Sequence, residues 1–136
     1  MTISTTVTAQ RGGWLKITLT GAASTDNAGL GALANPEGVL LGITRAFIYA
    51  RTGSTGAANL DIGVTTVAAK GSDVCSAMDI IEATIGGDLT FLPAAQAAET
   101  DSPTALWASD TYLTFTGSAS TVGLDAAVYV EYIRLA

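Results

Sequence analysis

Residues 14–20 read Trp-Leu-Lys-Ile-Thr-Leu-Thr. Leu15, Ile17 and Leu19 fall on one face, while Lys16, Thr18 and Thr20 fall on the other. That is the two-residue period of a strand with one face buried. The same period returns in residues 126–135, AAVYVEYIRL, with Val128, Val130 and Tyr132 set against Tyr129, Glu131 and Ile133. Residues 39–51, VLLGITRAFIYAR, are the longest apolar stretch, and their β-branched and aromatic content predicts a strand. Gly42 within it marks a candidate bulge. Ala58, Leu60, Ile62 and Val64 alternate with Asn59, Asp61 and Gly63. The turn residues 52–56, TGSTG, lie between these two runs and predict a hairpin. Tyr112, Thr114 and Thr116 alternate with Leu113 and Phe115 before another turn at residues 117–120.

The remaining segments are less regular. Residues 2–8, rich in Thr with Ile3 and Val7, suit an edge strand or an extended arm. Residues 21–38 hold several glycines, Asp26-Asn27 and Asn35-Pro36, and read as an irregular loop longer than most connections. Residues 78–85, MDIIEATI, fit either a strand or one to two helical turns. Gly86-Gly87 is a turn and residues 88–92 a short strand. Residues 93–99 have helix propensity with Pro93 at the start, at a length that needs tertiary support. Seven or eight strands separated by turn signals predict an all-β, single-domain β-sandwich, most simply a jelly roll. Residues 11–136 form that domain, preceded by an arm or edge strand over residues 1–10.

One internal echo stands out. Thr52-Gly53-Ser54 precedes Leu60-Asp61 at the interval by which Thr116-Gly117-Ser118 precedes Leu124-Asp125. It predicts two equivalent hairpins, or else reflects chance in a sequence of low diversity.

Composition narrows the function. Ala, Gly, Thr and Ser make up half of the 136 residues, charged residues only 13%, and the net charge is -6. With no histidine, Ser-His-Asp and Cys-His catalysis and histidine-ligated metals are excluded. A single cysteine, Cys75, allows neither an internal disulfide nor a CxxC zinc pattern. It reads as a small buried hydrophobe. Six scattered basic residues in an acidic chain argue against nucleic-acid binding. The longest uncharged run, residues 111–124, is too short and too polar for a membrane-spanning helix. Residues 1–10 lack the basic and apolar regions of a secretion signal, so the expected setting is a reducing cytoplasm or an assembly built there.

Four motifs test possible chemistry. Residues 29–34, GLGALA, spell a dinucleotide fingerprint, but Asn35-Pro36 follows where the helix should start. Asp73, Asp79 and Glu82, and Glu99, Asp101 and Asp110, lack calcium-loop spacing and read as solvated turn acids. Neither Lys16 nor Lys70 stands in an S-x-x-K pattern, so no catalytic residue, cofactor or metal ligand is expected. Trp14, Trp107, Tyr49, Tyr112, Tyr129 and Tyr132 would suit a sugar-stacking platform, core packing or a subunit interface. The outward strand positions often carry Thr, Ala, Gly or Ser, where free sheets usually place charge. Such surfaces call for partners, either copies of the chain or a larger assembly.

Three stretches carry a resemblance: LTGAASTDNAGLGALANPEGVLLGITRAFIYARTGSTGAANLDIGV, LWASDTYLTFTGSAS and AAVYVEYIRLA. Together they resemble small proteins encoded among the head genes of tailed bacteriophages, taken to be capsid decoration (cement) proteins. The resemblance implies a β-sandwich or jelly roll that binds the outside of an assembled icosahedral shell, next to the major capsid protein. It also implies a homo-oligomer, with a trimer favoured, on the virion exterior and assembled in the host cytoplasm. Neither nucleic acid nor membrane is an expected partner. Candidate shell or inter-subunit contacts, chosen from the residues themselves, are Thr2, Ile3, Thr5 and Val7 in the arm. Asp26, Asn27, Leu30 and Leu33 are the candidates in the long loop. The alternative is a receptor- or glycan-binding module of a phage tail or spike.

The covered-surface argument predicts that light scattering finds a multiple of the 13.7 kDa chain mass. A soluble monomer at high concentration contradicts it.

Overall fold

The computed structural model describes residues 12–66, 69–92 and 105–135. Two antiparallel sheets pack face to face. The first has the order β1-β9-β3, built from β1 (Gly12–Thr20), β9 (Asp125–Arg134) and β3 (Leu41–Thr52). Its far edge is shared by two short strands lying end to end along β3. β6 (Leu89–Leu92) pairs with residues 46–49, and β7 (Ala105–Trp107) pairs with residues 41–43. The second sheet has the order β2-β8-β4-β5, from β2 (Gly31–Ala34), β8 (Tyr112–Gly117), β4 (Asn59–Thr65) and β5 (Cys75–Asp79). With β6 and β7 taken as one interrupted edge strand, these two orders are those of an eight-stranded jelly roll. A single turn, α1 (Glu82–Ile85), follows β5.

The alternation seen in the sequence explains the core. Val128, Val130 and Tyr132 of β9 and Ala46, Ile48 and Ala50 of β3 turn inward with Leu19. Leu60, Ile62, Leu113, Phe115 and Cys75 meet them from the second sheet. Trp107 is fully buried and closes one end. At roughly 1.5–3 kcal/mol for each fully buried large apolar side chain, this shared layer holds the two sheets together.

Three expectations are corrected. Residues 39–51 and 58–64 do not form a hairpin, because β3 lies in the first sheet and β4 in the second. The turn between them carries the chain from sheet to sheet. The same holds for residues 117–124, which join β8 to β9. The echoed motifs are nevertheless equivalent, as paired crossovers. Thr52 stands opposite Asp125 in one sheet, and Thr116 opposite Asp61 in the other. A local two-fold therefore exchanges the motifs. The crossovers also touch: the Thr55 amide donates to Val122 O at 2.9 Å, and the Asn59 amide to Ser118 Oγ at 2.9 Å.

The irregular loop at residues 21–38 contains β2, which four small and apolar residues did not announce. The bulge lies not at Gly42 but at Thr44, where Thr44 and Arg45 together oppose Glu131. Gly42 instead makes room for Leu135, whose Cδ1 would lie 3.1 Å from an added Cβ. Residues 78–85 resolve into both options, with Met78 and Asp79 ending β5 and α1 following. Gly31–Ala34 are strand, so no helix follows the GLGALA glycines to receive a phosphate. The expected arm at 1–10 and the helical stretch at 93–99 lie outside the described residues.

Asn35 ties β2 to the opposite sheet. Its Nδ2 donates to the carbonyls of Val39, Trp107 and Ala108 at 2.9, 3.0 and 3.1 Å. Its Oδ1 accepts from the amides of Glu37 and Gly38, both at 2.9 Å. Asn35→Ala strips partners from several carbonyls and amides at once, so a loss of about 2 kcal/mol or more is expected. Urea denaturation reads it as a lower midpoint with an unchanged slope.

Candidate functional site: the outer face of the five-stranded sheet

Outward-facing residues differ sharply between the two sheets. On the second sheet the chain covers its own small residues. Thr114 is fully buried and donates to Gly63 O at 3.2 Å. The loop after β4 lies so close over Gly63 that a Cβ there would sit 2.2 Å from the Gly71 carbonyl carbon. Thr116 Oγ1 accepts the Ala28 amide at 2.9 Å, so the loop before β2 folds over this strand too. Asp61 on this face is 4% exposed, accepts the Ala77 amide at 2.9 Å and pairs with Lys70 at 3.3 Å.

Among the described residues the first sheet has no such cover. Trp14, Tyr49, Leu89, Phe91, Leu106 and Ile133 all stand exposed on it, and Leu89 and Phe91 are more than 60% exposed. Strand register sets them in rows. Lys16, Tyr129, Phe47 and Phe91 form one row, and Thr18, Ala127, Tyr49 and Leu89 the next. The Trp14 ring stacks on Phe47 at 5.7 Å between centroids, and Phe47 meets Phe91 at 4.6 Å. Arg45 lies 5.4 Å from the Trp14 centroid. An open groove of about 520 Å³ runs between Trp14, Phe47, Tyr49, Leu89 and Tyr129. Beside it, a smaller polar depression of about 120 Å³ has Lys16, Thr18 and Arg51 in its walls and shares Tyr49 and Tyr129.

Two bulges in β3 bound this aromatic stretch, and each brings an arginine onto a carboxylate. At the first, Arg45 grips Glu131 through Nε and Nη2, both at 3.0 Å, and Thr44 Oγ1 donates to Glu131 Oε1 at 2.7 Å. At the second, Arg51 grips Asp125 at 3.2 and 3.0 Å. The hydrogen bonds from Arg45 and then Thr44 hold the Glu131 carboxyl below its ordinary value of 4.5, and the same pairing raises Arg45. Both forks are geometrically well formed but lie in solvent, where such pairs are worth little.

The sequence-derived candidates are distributed differently. Of the aromatics, Trp14, Tyr49 and Tyr129 come together on this face. Trp107 and Tyr132 are core residues, and Tyr132 donates to Glu37 Oε2 at 2.8 Å. Tyr112 sits on the second sheet. Asp26 and Asn27 are exposed at the tip of the long loop, while Leu30 and Leu33 pack against the core. Thr2, Ile3, Thr5 and Val7 lie outside the described residues. Phe47, Leu89 and Phe91 were missed, although the alternation of residues 45–51 and 88–92 already set them opposite Ile48 and Leu92. Cys75 is buried, and desolvation first, then Asp61, pushes its thiol up to about 12, the wrong direction for a nucleophile. Among the described residues no group of three or more acids or cysteines is placed to hold a metal. No helix there is long and apolar enough to cross a membrane.

Because the Glu131 carboxyl is depressed in the fold, its contribution is complete above the ordinary carboxylate value. It is lost as pH falls through the lower folded value. Urea midpoints measured downward from pH 6 should therefore fall less steeply in Glu131→Gln than in the parent, starting from a lower plateau. Parallel curves would remove Glu131 from the acid response.

No protein-family model and no curated protein matches the chain. Among solved structures, a chain in the "Capsid of Ralstonia phage GP4" is similar in fold. The match covers 99% of this chain and 92% of that one, at a TM-score of 0.56 and 13% identity. What the two chains share is the β-sandwich, with nearly every element of this one inside the alignment.

Proposed function

We propose that this chain is a non-enzymatic structural protein of a tailed-phage virion, which binds the outer surface of the assembled capsid and stabilises the shell. The observation that carries this reading is the likeness in fold, over almost the whole chain, to a chain of a phage capsid. The resemblance of the sequence to head-gene decoration proteins points the same way. So does the gathering of Trp14, Tyr49, Leu89 and Phe91, all exposed, on one sheet face, since contiguous apolar surface often marks an interaction site. The partner in this reading is the major capsid protein, on the virion exterior after assembly in the host cytoplasm, with the decorating chain itself a trimer.

Mass action supplies the mechanism. A protein that binds only the assembled lattice stabilises it by about 2.7 kcal/mol per site at a hundredfold excess over Kd. Repeated over a shell, modest interfaces suffice if each bridges two subunits.

A receptor- or glycan-binding role draws on the exposed rings of Trp14 and Tyr49 and the half-buried ring of Tyr129. Stacking a sugar requires a free ring face. Trp14 already has Phe47 against its ring and Arg45 near it, which favours the structural reading.

The test uses heads from a phage stock whose gene for this chain is deleted. The purified protein should co-sediment with them saturably, in fixed ratio to capsid protein, and raise the temperature at which the heads release DNA. Failure to bind heads, with clear binding to host polysaccharide, would overturn the proposal in favour of the glycan-binding module.

A further inference from the structure

We infer that the outer face of the five-stranded sheet is the docking surface for the shell, and that it receives a polypeptide segment presenting an apolar side chain beside a carboxylate. This inference rests on the capsid-binding reading and adds to it the face and the recognition chemistry.

Three observations carry it. The first is where the apolar surface lies. The second sheet is roofed by the chain's own loops, whereas Leu89 and Phe91 project from the first with more than 60% of their surface in solvent. The second is the shape of that surface. The groove among Trp14, Phe47, Tyr49, Leu89 and Tyr129 is lined by rings and an aliphatic side chain. It offers an aliphatic or aromatic anchor an apolar, largely aromatic seat that a partner would close off from water, as at interface centres. A sugar ring would leave its hydroxyls without partners there.

The third is charge. Three of the six basic residues of an acidic chain, Lys16, Arg45 and Arg51, stand on this one face. Arg45 and Arg51 are already matched by Glu131 and Asp125, so covering them orphans no charge. Lys16 has no carboxylate partner among the described residues; its ammonium lies 6.0 Å from the Tyr129 ring centroid, in the wall of the polar depression adjoining the groove. A carboxylate supplied from outside completes that site. With net charge -6 on the chain, the three cations gathered here offset the repulsion an acidic segment would otherwise meet.

The experiment measures binding of the full-length protein and its variants to the same deleted-gene heads, by co-sedimentation at two salt concentrations. Leu89→Asp should weaken binding roughly thirtyfold or more, as loss of an interface anchor does. Lys16→Glu should weaken it about tenfold and flatten the salt dependence, while Lys16→Arg keeps both. Val122→Asp, on an exposed crossover away from this sheet, should bind like the parent. Urea midpoints check that each variant folds, and Phe91→Ser replaces Leu89→Asp if the latter does not. If the parent binds heads and the Leu89, Phe91 and Lys16 variants bind equally well, the docking face lies elsewhere and the inference fails, with the capsid reading intact. If light scattering shows an oligomer that Leu89→Asp dissociates, a second copy covers the face and the inference fails. If the parent does not bind heads, both readings fail together.

Discussion

β9 is hydrogen-bonded along both edges, to β1 on one side and β3 on the other, and it alone joins β1 to the rest of the first sheet. Its inward side chains, Val128, Val130 and Tyr132, meet Leu113, Phe115 and Ile62 in the inter-sheet layer. Its outward ones, Tyr129 and Glu131, join the aromatic rows and the Arg45 fork. One strand thus serves the core with one face and the candidate docking surface with the other. A change of register by a single residue would exchange those roles. The bulges in β3 that set both arginines opposite carboxylates of β9 help to pin the register in place.

Much of this was legible in the sequence, because a two-residue period is a direct consequence of strand geometry. Residues 14–20 and 126–135 gave both faces of their strands correctly, and Cys75 fell in the core as expected. β2 escaped because Gly31, Ala32, Leu33 and Ala34 carry too little contrast between faces. The error at residues 52–56 has a different cause. Turn residues report that the chain reverses, but not whether it returns within one sheet or enters the other. That choice depends on what packs beneath, here the common core in which Leu60, Ile62, Ile48 and Val128 are all buried.

The candidate site was half visible. Composition suggested that small, uncharged outer faces must be covered, and part of that cover turned out to be the chain itself. The loops over Thr114, Thr116 and Gly63 shield the second sheet, and this is why Gly63 and Gly71 approach so closely. What remains bare is aromatic rather than small, and it depends on Phe47, Leu89 and Phe91. Each looks like an ordinary strand residue in isolation. Their meeting is a product of β6 pairing with β3, a contact that no local pattern encodes.

The ladder between β1 and β9 has a kinetic consequence. Gly12 pairs with Ile133 and Thr20 with Asp125, so the sheet closes only after nearly the whole length of chain has been drawn into a loop. Chains dominated by such distant pairings fold in milliseconds to seconds, far more slowly than helical proteins of equal size. Until closure, the rings of Phe47, Tyr49 and Phe91 and the apolar flank of β3 stand open together. The slow step of folding is therefore also the interval of greatest aggregation risk.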